Sequence, residues 1–335
     1  MIVMEYVKCV ICDSDHSRKL LSKNSYNITK CKNCGLVYVN PRPTKDELVA
    51  IYSSSNITPL DKNSNIKKFR IGLKAIKKFF QKPGKILDVG CSTGTFLSMA
   101  EIDGWKTFGV DINERAVKFA REKYGLNIKI GDLETLNFPE GYFDVVTFFD
   151  TIEHLPDPVL ALMEVKRILK PKGLILITTP NIDGLFPKLT YLLFAKTIGA
   201  WEHPTPPGHL YQFSKQTIAK ILKKIGLQVI YFKSAEIPLS YTVGKLENAI
   251  VDALKQKAKG IAPWLQKGGN ADLDASLSPN IASEFNSKQI SGQLRKVLRL
   301  SIRLMCWILG GAVYPVARIL EMGDSMLVIA AKDKS

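Results

Sequence analysis

Three short strand-like runs, each ending at an aspartate, constrain the fold of this chain more than any other feature. They are Ile86-Leu87-Asp88, Phe108-Gly109-Val110-Asp111 and Ile128-Lys129-Ile130-Gly131-Asp132, and stretches with helical spacing separate them. Further candidate strands follow at Phe143–Phe149, Leu174–Thr178 and Gln228–Phe232, with helical patterns at Asn113–Tyr124, Pro158–Leu169 and Lys215–Ile225. Strands that alternate with helices need crossover connections, so the pattern predicts an α/β fold: a Rossmann-like, doubly wound, mainly parallel sheet. A last apolar run, Met326–Ala331, is expected to close the sheet as a seventh, antiparallel strand.

The first run leads into Val89-Gly90-Cys91-Ser92-Thr93-Gly94-Thr95, a glycine-rich turn, and Phe96–Glu101 opens a helix. Glycine is wanted where backbone turns sharply and a ligand must approach main-chain atoms. Asp111 comes 21 residues after Gly90, at the end of the next strand. Neighbouring strand ends would let Asp111 accept both hydroxyls of a ribose. Asp132 and Leu133, at the third strand end, suit an adenine: the carboxylate for its amino group, the leucine for its face. The three ends together predict a site of adenosine size.

These motifs resemble those of class I S-adenosylmethionine-dependent methyltransferases, over about residues 82–239 plus the last strand. LDVGCSTG resembles the methionine-binding loop, GVDIN the ribose-binding acid and GDLETLNF the adenine site. FDVVTFFDTIEHLPDP and LKPKGLILITTPN resemble the fourth and fifth strands. The resemblance implies S-adenosyl-L-methionine as cofactor, held by Asp88, Gly90, Ser92, Gly94, Asp111, Ile112, Asp132, Leu133 and Asp150. Ser92 stands where the family most often has a second glycine; serine is small, so binding is expected to survive.

Four of the six cysteines form Cys9-Val-Ile-Cys12 and Cys31-Lys-Asn-Cys34, two C-x-x-C pairs with 18 residues between them. That spacing predicts a zinc ribbon, with Zn2+ structural because four thiolates leave no position for water. The ribbon followed by GLVYVNPRP and this core is also similar to deoxysugar C-methyltransferases and to enzymes of surface-polysaccharide synthesis. In those proteins the zinc module helps shape the acceptor site. The sugar enzymes carry a second α/β domain after the core, for which this chain has no pattern.

The expected layout is a zinc-ribbon module at 1–45, a helical linker and cap at 46–82, and a cofactor-binding core at 83–236 that includes an acceptor lid at 181–214. A helical basic insertion at 237–322 and a final strand and tail at 323–335 complete it. On the acceptor side, three of the four histidines, His154, His203 and His209, fall in segments expected to rim the site. An acceptor hydroxyl must lose a proton as the methyl bond forms, and a histidine titrating near neutrality suits that task. His209, His154 and Glu153 are the catalytic candidates, with His203 and Tyr211 behind them. Phe186 and Phe194 are expected to pack the lid.

Forty-seven Lys and Arg against 31 Asp and Glu give +16, an excess that attracts acidic partners. Nine basic residues lie between Lys62 and Lys85, on a stretch with a helical pattern from Asn65 to Phe80, and six more between Lys288 and Leu320; neither stretch has an acid. At about 100° per residue, Arg295, Lys296, Arg299 and Arg303 oppose Leu294, Val297, Leu298, Leu304, Met305 and Ile308. Such a helix over 294–309 covers the core, meets a second subunit in a homodimer, or lies on an anionic membrane surface. No apolar run is expected to reach the roughly 20 residues of a bilayer span, since Gly310-Gly311 and Pro315 interrupt the longest. The opening MIVMEYVKC lacks a signal-peptide layout, so a cytoplasmic protein, soluble or peripheral at a membrane, is expected.

The function expected is methylation, at oxygen or carbon, of a small-molecule acceptor such as a sugar, a lipid-linked glycan or a quinone precursor. An RNA methyltransferase is the chief alternative. Asp150-Thr151-Ile152-Glu153-His154 replaces the Asn/Asp-Pro-Pro-aromatic turn of base-amine enzymes, and no stacking platform accompanies the ribbon, so nucleic acid is disfavoured. Gly90-Cys91-Ser92-Thr93-Gly94 also matches the G-x-S-x-G elbow of serine hydrolases. A cofactor-binding scaffold without turnover is the last alternative.

Overall fold

The computed structural model describes residues 2–53, 63–80, 82–261 and 287–332. It divides into two units, the first comprising Met1–Gly184, Pro204–Glu236 and Glu321–Ser335, the second Leu185–His203 and Ile237–Leu320.

The first unit is built on a seven-stranded sheet. Its order is Leu227–Ala235, Ser325–Lys332, Leu169–Pro180, Phe143–Phe149, Lys85–Val89, Lys106–Asp111 and Ile128–Ile130. Ser325–Lys332 runs antiparallel to both neighbours, and the remaining pairings are parallel. Ile86, Leu87, Val145, Val146 and Ile175 to Ile177 are fully buried. Strands covered on both faces are continuously apolar, which is why these runs carried so strong a signal. Asn113 caps the helix Glu114–Tyr124 by accepting from Ala116 N, and Asp157 caps Pro158–Ile168 from Val159 and Leu160. The fifth strand is longer than its apolar segment: it starts at Leu169, where the preceding helix ends, and its register shifts between Leu169 and Leu174. The chain leaves the first strand towards one edge and returns beside it as Phe143–Phe149. Their carboxyl ends therefore form the switch point where open α/β sheets bind ligands.

A smaller antiparallel sheet holds Ser17–Lys23, Tyr26–Cys31 and Val37–Val39, joined by the distant Tyr211–Gln212. Tyr211 pairs with Tyr38 and Gln212 with Val37, and Val39 N donates to Leu210 O at 2.9 Å. The cysteine module is thereby tied to the segment that carries His209. The helix Asn63–Lys77 buries Phe69, Leu73 and Ile76 and leaves Lys67, Lys74 and Lys77 exposed, with Lys68 half-buried.

In the second unit, helices Leu239–Ile261 and Ser287–Ile319 pack through Val243, Leu246 and Ile250 against Ile302, Cys306 and Tyr314. Tyr314 Oη donates to Thr242 Oγ1 at 3.0 Å, and Arg303 pairs with Glu247 at 3.2 Å. Two sequence expectations fail here. Gly310, Gly311 and Pro315 do not break the helix. Gly310 packs against the end of the Leu239 side chain, and Pro315 gives up a single backbone bond while Tyr314 and Ala317 stay buried beside it. Arg299–Ile319 thus forms a continuous 21-residue segment of mean hydropathy 1.5, long and apolar enough to span a bilayer by length and composition, though 33% of it is buried. The buried face is also not the expected one: Ile302, Cys306 and Val313 point inward, while Val297, Leu304, Met305 and Ile308 are exposed. The polar stretch Gly268–Ser287 lies, apart from Ser287, outside the described residues, and nothing is described of the Arg295 and Leu298 side chains.

Candidate active site

The glycine-rich turn follows Val89. Gly90 has φ +73°, and a Cβ there would stand 2.5 Å from Thr151 Cγ2, so the chain passes where no other residue fits. Ser92 adopts φ +50°, a left-handed conformation that explains why glycine is preferred at this point. Its amide donates to Asp111 Oδ2 at 2.7 Å, and the Asn113 amide donates to Asp111 Oδ1 at 2.8 Å. Asp111 is thus held by the backbone with lone pairs to spare for two ribose hydroxyls. Gly94, at φ +75°, occupies the N-cap of Thr95–Ile102.

Asp88 is buried and accepts from Thr147 Oγ1 at 2.7 Å. Burial pushes its carboxyl up to about 8; the Thr147 bond opposes the rise and the nearby Asp111 adds to it. Burial also raises Asp111, against the pull of the Asn113 and Ser92 amides. Two acids starved of charge compensation suit a cationic ligand, and the ammonium and sulfonium of S-adenosylmethionine are such groups. The strand-end residues therefore fit this cofactor. Asp132 departs from its expected freedom: Lys45 Nζ lies 2.7 Å from its Oδ2. Leu133 is buried in the core cluster, and Ile112 is half-buried beside Asp111.

Asp150 sits just after the fourth strand at φ +51°, with Thr178 Oγ1 donating to its Oδ1 at 2.8 Å. Lys68 forms an ion pair with its other oxygen. Burial alone would raise this carboxyl, but the Lys68 charge and the Thr178 hydroxyl hold it below the ordinary range. Lys68 reaches the site because Gly72, one turn later on the same helix face, lets the helix lie against Phe149; a Cβ at Gly72 would stand 2.7 Å from that ring. Neither Lys68 nor Tyr52 was expected from the sequence. A lone glycine inside a helical pattern was the trace that Lys68 left; Tyr52 left none.

Tyr52 joins the histidines. Its hydroxyl donates to Gly208 O at 2.5 Å, and His154 Nδ1 lies 2.8 Å from that same carbonyl. The Tyr52 hydroxyl also lies 3.0 Å from Nδ1, and the ring has a further backbone partner at Asp150. Burial lowers the His154 pKa, against the opposing Gly208 bond, which keeps the ring neutral at pH 7. The His209 ring stands edge-on to it, centroids 4.7 Å apart. Donor atoms of Glu153, His154 and His209 lie within 4.8 Å of one another. Glu153 is buried; Thr179 Oγ1 donates to its Oε2 at 3.0 Å, and burial, reinforced by Asp150, pushes it up to about 8.

Two reserve candidates are elsewhere engaged. Tyr211 accepts from Arg42 Nη1 at 2.7 Å and donates to Pro156 O at 3.0 Å, which makes it a brace under the site. His203 is buried in the second unit, 6.2 Å from the Trp201 ring centre.

In the N-terminal module the four cysteine sulfurs lie within 4.8 Å of one another, Cys9 and Cys34 at 3.3 Å and Cys12 and Cys31 at 3.5 Å. Tetrahedral Zn2+ with Zn–S near 2.3 Å holds its sulfurs about 3.8 Å apart, so spacing and donor type fit that ion.

Residues 66–231 match the methyltransferase-domain family. The chain is 30% identical over 177 residues to demethylmenaquinone methyltransferase of Chlorobaculum parvum, covering 48% of this chain and 71% of that one. It is 27% identical over 185 residues to a probable S-adenosylmethionine-dependent methyltransferase of Mycolicibacterium smegmatis, covering 53% and 66%. A crystal structure of an S-adenosylmethionine-dependent methyltransferase from Archaeoglobus fulgidus aligns with TM-score 0.46 and 19% identity, covering 79% of this chain and 94% of that one. The chain belongs to the class I S-adenosylmethionine-dependent methyltransferases. Across the first relatives it spans from 32% to 66% of their length.

Proposed function

We propose that the protein transfers a methyl group from S-adenosylmethionine to oxygen or carbon of a small-molecule acceptor, a saccharide, a lipid-linked glycan or a quinone precursor. The observation that carries the reading is the buried, neutral His154, held by Tyr52 and by the Gly208 and Asp150 backbone, in the same unit as the strand-end carboxylates Asp88 and Asp111. S-adenosylmethionine, when bound, supplies an electrophilic methyl carbon on a positively charged sulfur. Asp111 holds the ribose, and Asp88 compensates cationic charge by ionising. His154 receives the acceptor proton as the new bond forms, and the imidazolium is stabilised by Gly208 O and by the ionised Asp150, whose charge raises the His154 pKa. Tyr52 and His209 orient the ring. Thr178 and Lys68 keep Asp150 ionised.

The likeness to the Chlorobaculum parvum enzyme, a demethylmenaquinone methyltransferase by name, supports quinone-type acceptors. The pairing of Tyr211–Gln212 with the cysteine module supports the sugar-enzyme comparison, in which a zinc-holding module shapes the acceptor site. Cys9, Cys12, Cys31 and Cys34 would hold that zinc as a structural ion. The hydrolase alternative loses ground because Gly90–Gly94 follows the first strand of the main sheet, and among the described residues no strand of that sheet lies upstream to build an elbow.

Calorimetric titration with S-adenosylmethionine tests the reading. The native chain should bind in the micromolar range, and Asp111→Ala should weaken binding at least 100-fold, about 2.7 kcal/mol. Unchanged affinity in Asp111→Ala would refute the site.

A further inference from the structure

The helix Ser287–Ile319 is apolar on two opposite sides. Its inner side is accounted for by the second unit's core, where Ile302, Cys306 and Tyr314 are buried. The outer side is not. Val297, Leu300, Leu304 and Ile308 are 62%, 64%, 63% and 66% exposed. At about 100° per residue these four fall within an arc of about 80°. Ser301, Leu304, Met305, Ile308 and Leu309 line an open apolar groove of about 470 Å³ along the same stretch. A row of large aliphatic side chains in water is costly and marks a surface built for another phase or partner.

Charge says which. Lys296, Arg299, Arg303 and Arg318 are exposed on this helix, and from Lys288 to Leu320 the sequence contains no aspartate or glutamate. On the same angular plot Lys296 and Arg303 flank the exposed row on one side. Apolar side chains bordered by cations, on a helix stretch that carries no acid of its own, are the pattern of a helix lying in a lipid interface: aliphatics enter the acyl boundary while Lys and Arg reach phosphates. A homotypic contact would place this acid-free row of cations against its own copy.

We propose that the outer face of Ser287–Ile319 docks the protein on an anionic lipid surface, with the helix in the plane of the interface. A spanning arrangement is disfavoured although Arg299–Ile319 has the length for it, because the inner face is committed to protein and Arg303 is paired with Glu247. Docking would bring a membrane-soluble acceptor within reach of the same molecule. The proposal does not depend on methyl transfer, and its test reads lipid binding alone, so either idea can fail separately.

The test is flotation of the full-length protein with vesicles of phosphatidylcholine alone or with about one third phosphatidylglycerol. The native protein should float with the anionic vesicles, not with the neutral ones, and come off as salt is raised. Leu304→Glu with Ile308→Glu should abolish flotation, and Lys296→Glu with Arg299→Glu should weaken it about tenfold or more. Unchanged thermal unfolding would certify each variant as folded, since all four positions are exposed. Absence of flotation with either vesicle, or equal flotation with both, overturns the proposal. So does a native dimer in sedimentation that Leu304→Glu with Ile308→Glu converts to monomer without altering lipid binding: the row would then be a subunit interface.

Discussion

The parallel sheet and the long helix Ser287–Ile319 are both rich in Leu, Ile and Val, yet they use them differently. In Lys85–Val89, Phe143–Phe149 and Leu169–Pro180 nearly every aliphatic side chain is buried, because helices or other chain cover both faces. In the helix, Ile302 and Cys306 are buried while Leu300, Leu304 and Ile308, on the opposite side, face out. Apolar content therefore reports burial in the sheet and fails to do so in the helix. What separates the two is whether the fold supplies a second covering layer.

The largest effect that would break this contrast lies in the sheet. Leu176 is fully buried in the fifth strand, and Leu176→Ala should cost about 2–5 kcal/mol in urea unfolding. A cost near zero would mean that the sheet is looser than its burial implies.

Glu153 sharpens the comparison at the strand ends, where burial is imposed on a charge. In the folded chain its pKa is raised to about 8 from an ordinary 4.5. Between those values the folded state holds a proton that the unfolded state has released. Native stability should therefore fall as pH rises from about 4.5 to about 8, by a few kcal/mol from this group. Urea titrations at pH 5 and pH 8 should show a flatter dependence in Glu153→Gln; parallel slopes would refute the assignment.

The cysteine module adds a third kind of order, held by donors more than by a covering layer. Cys9→Ser with Cys12→Ser should release about one zinc ion per chain and melt the module locally, leaving S-adenosylmethionine affinity within a few-fold of native. Metal analysis of the purified protein decides; a native protein that is folded and zinc-free would rule the site out. The smallest effect belongs to the helix. Leu304→Ala should change stability by no more than about 0.5 kcal/mol, because its side chain is already in water. A loss comparable to that of Leu176→Ala would show that the outer face is covered after all.

The strands and strand-end acids were legible because a doubly covered strand leaves an unbroken apolar run and a switch point collects whatever follows it. The positions of Asp88, Gly90 and Asp111 at strand ends could be read from the pattern, and their expected roles came with the family resemblance. Tyr52 could not, and Lys68 left only the glycine at position 72 as a trace: each reaches the site from a helix far away in sequence. Tyr211 misled for the opposite reason, since a tyrosine near two histidines looks like chemistry until Arg42 and Pro156 are seen to hold it. The outer face of the long helix misled because periodicity assigns one apolar side, and this helix has two.

By itself the sequence determined the sheet, the glycine turn, the acids at the strand ends and the four-cysteine spacing, since all are properties of residues close along the chain. Only the tertiary structure decided which groups hold the His154 ring, which lysine keeps Asp150 ionised and which leucines face water. Those depend on groups brought together across tens to hundreds of residues, and their energies come from burial and hydrogen bonding that no local pattern records.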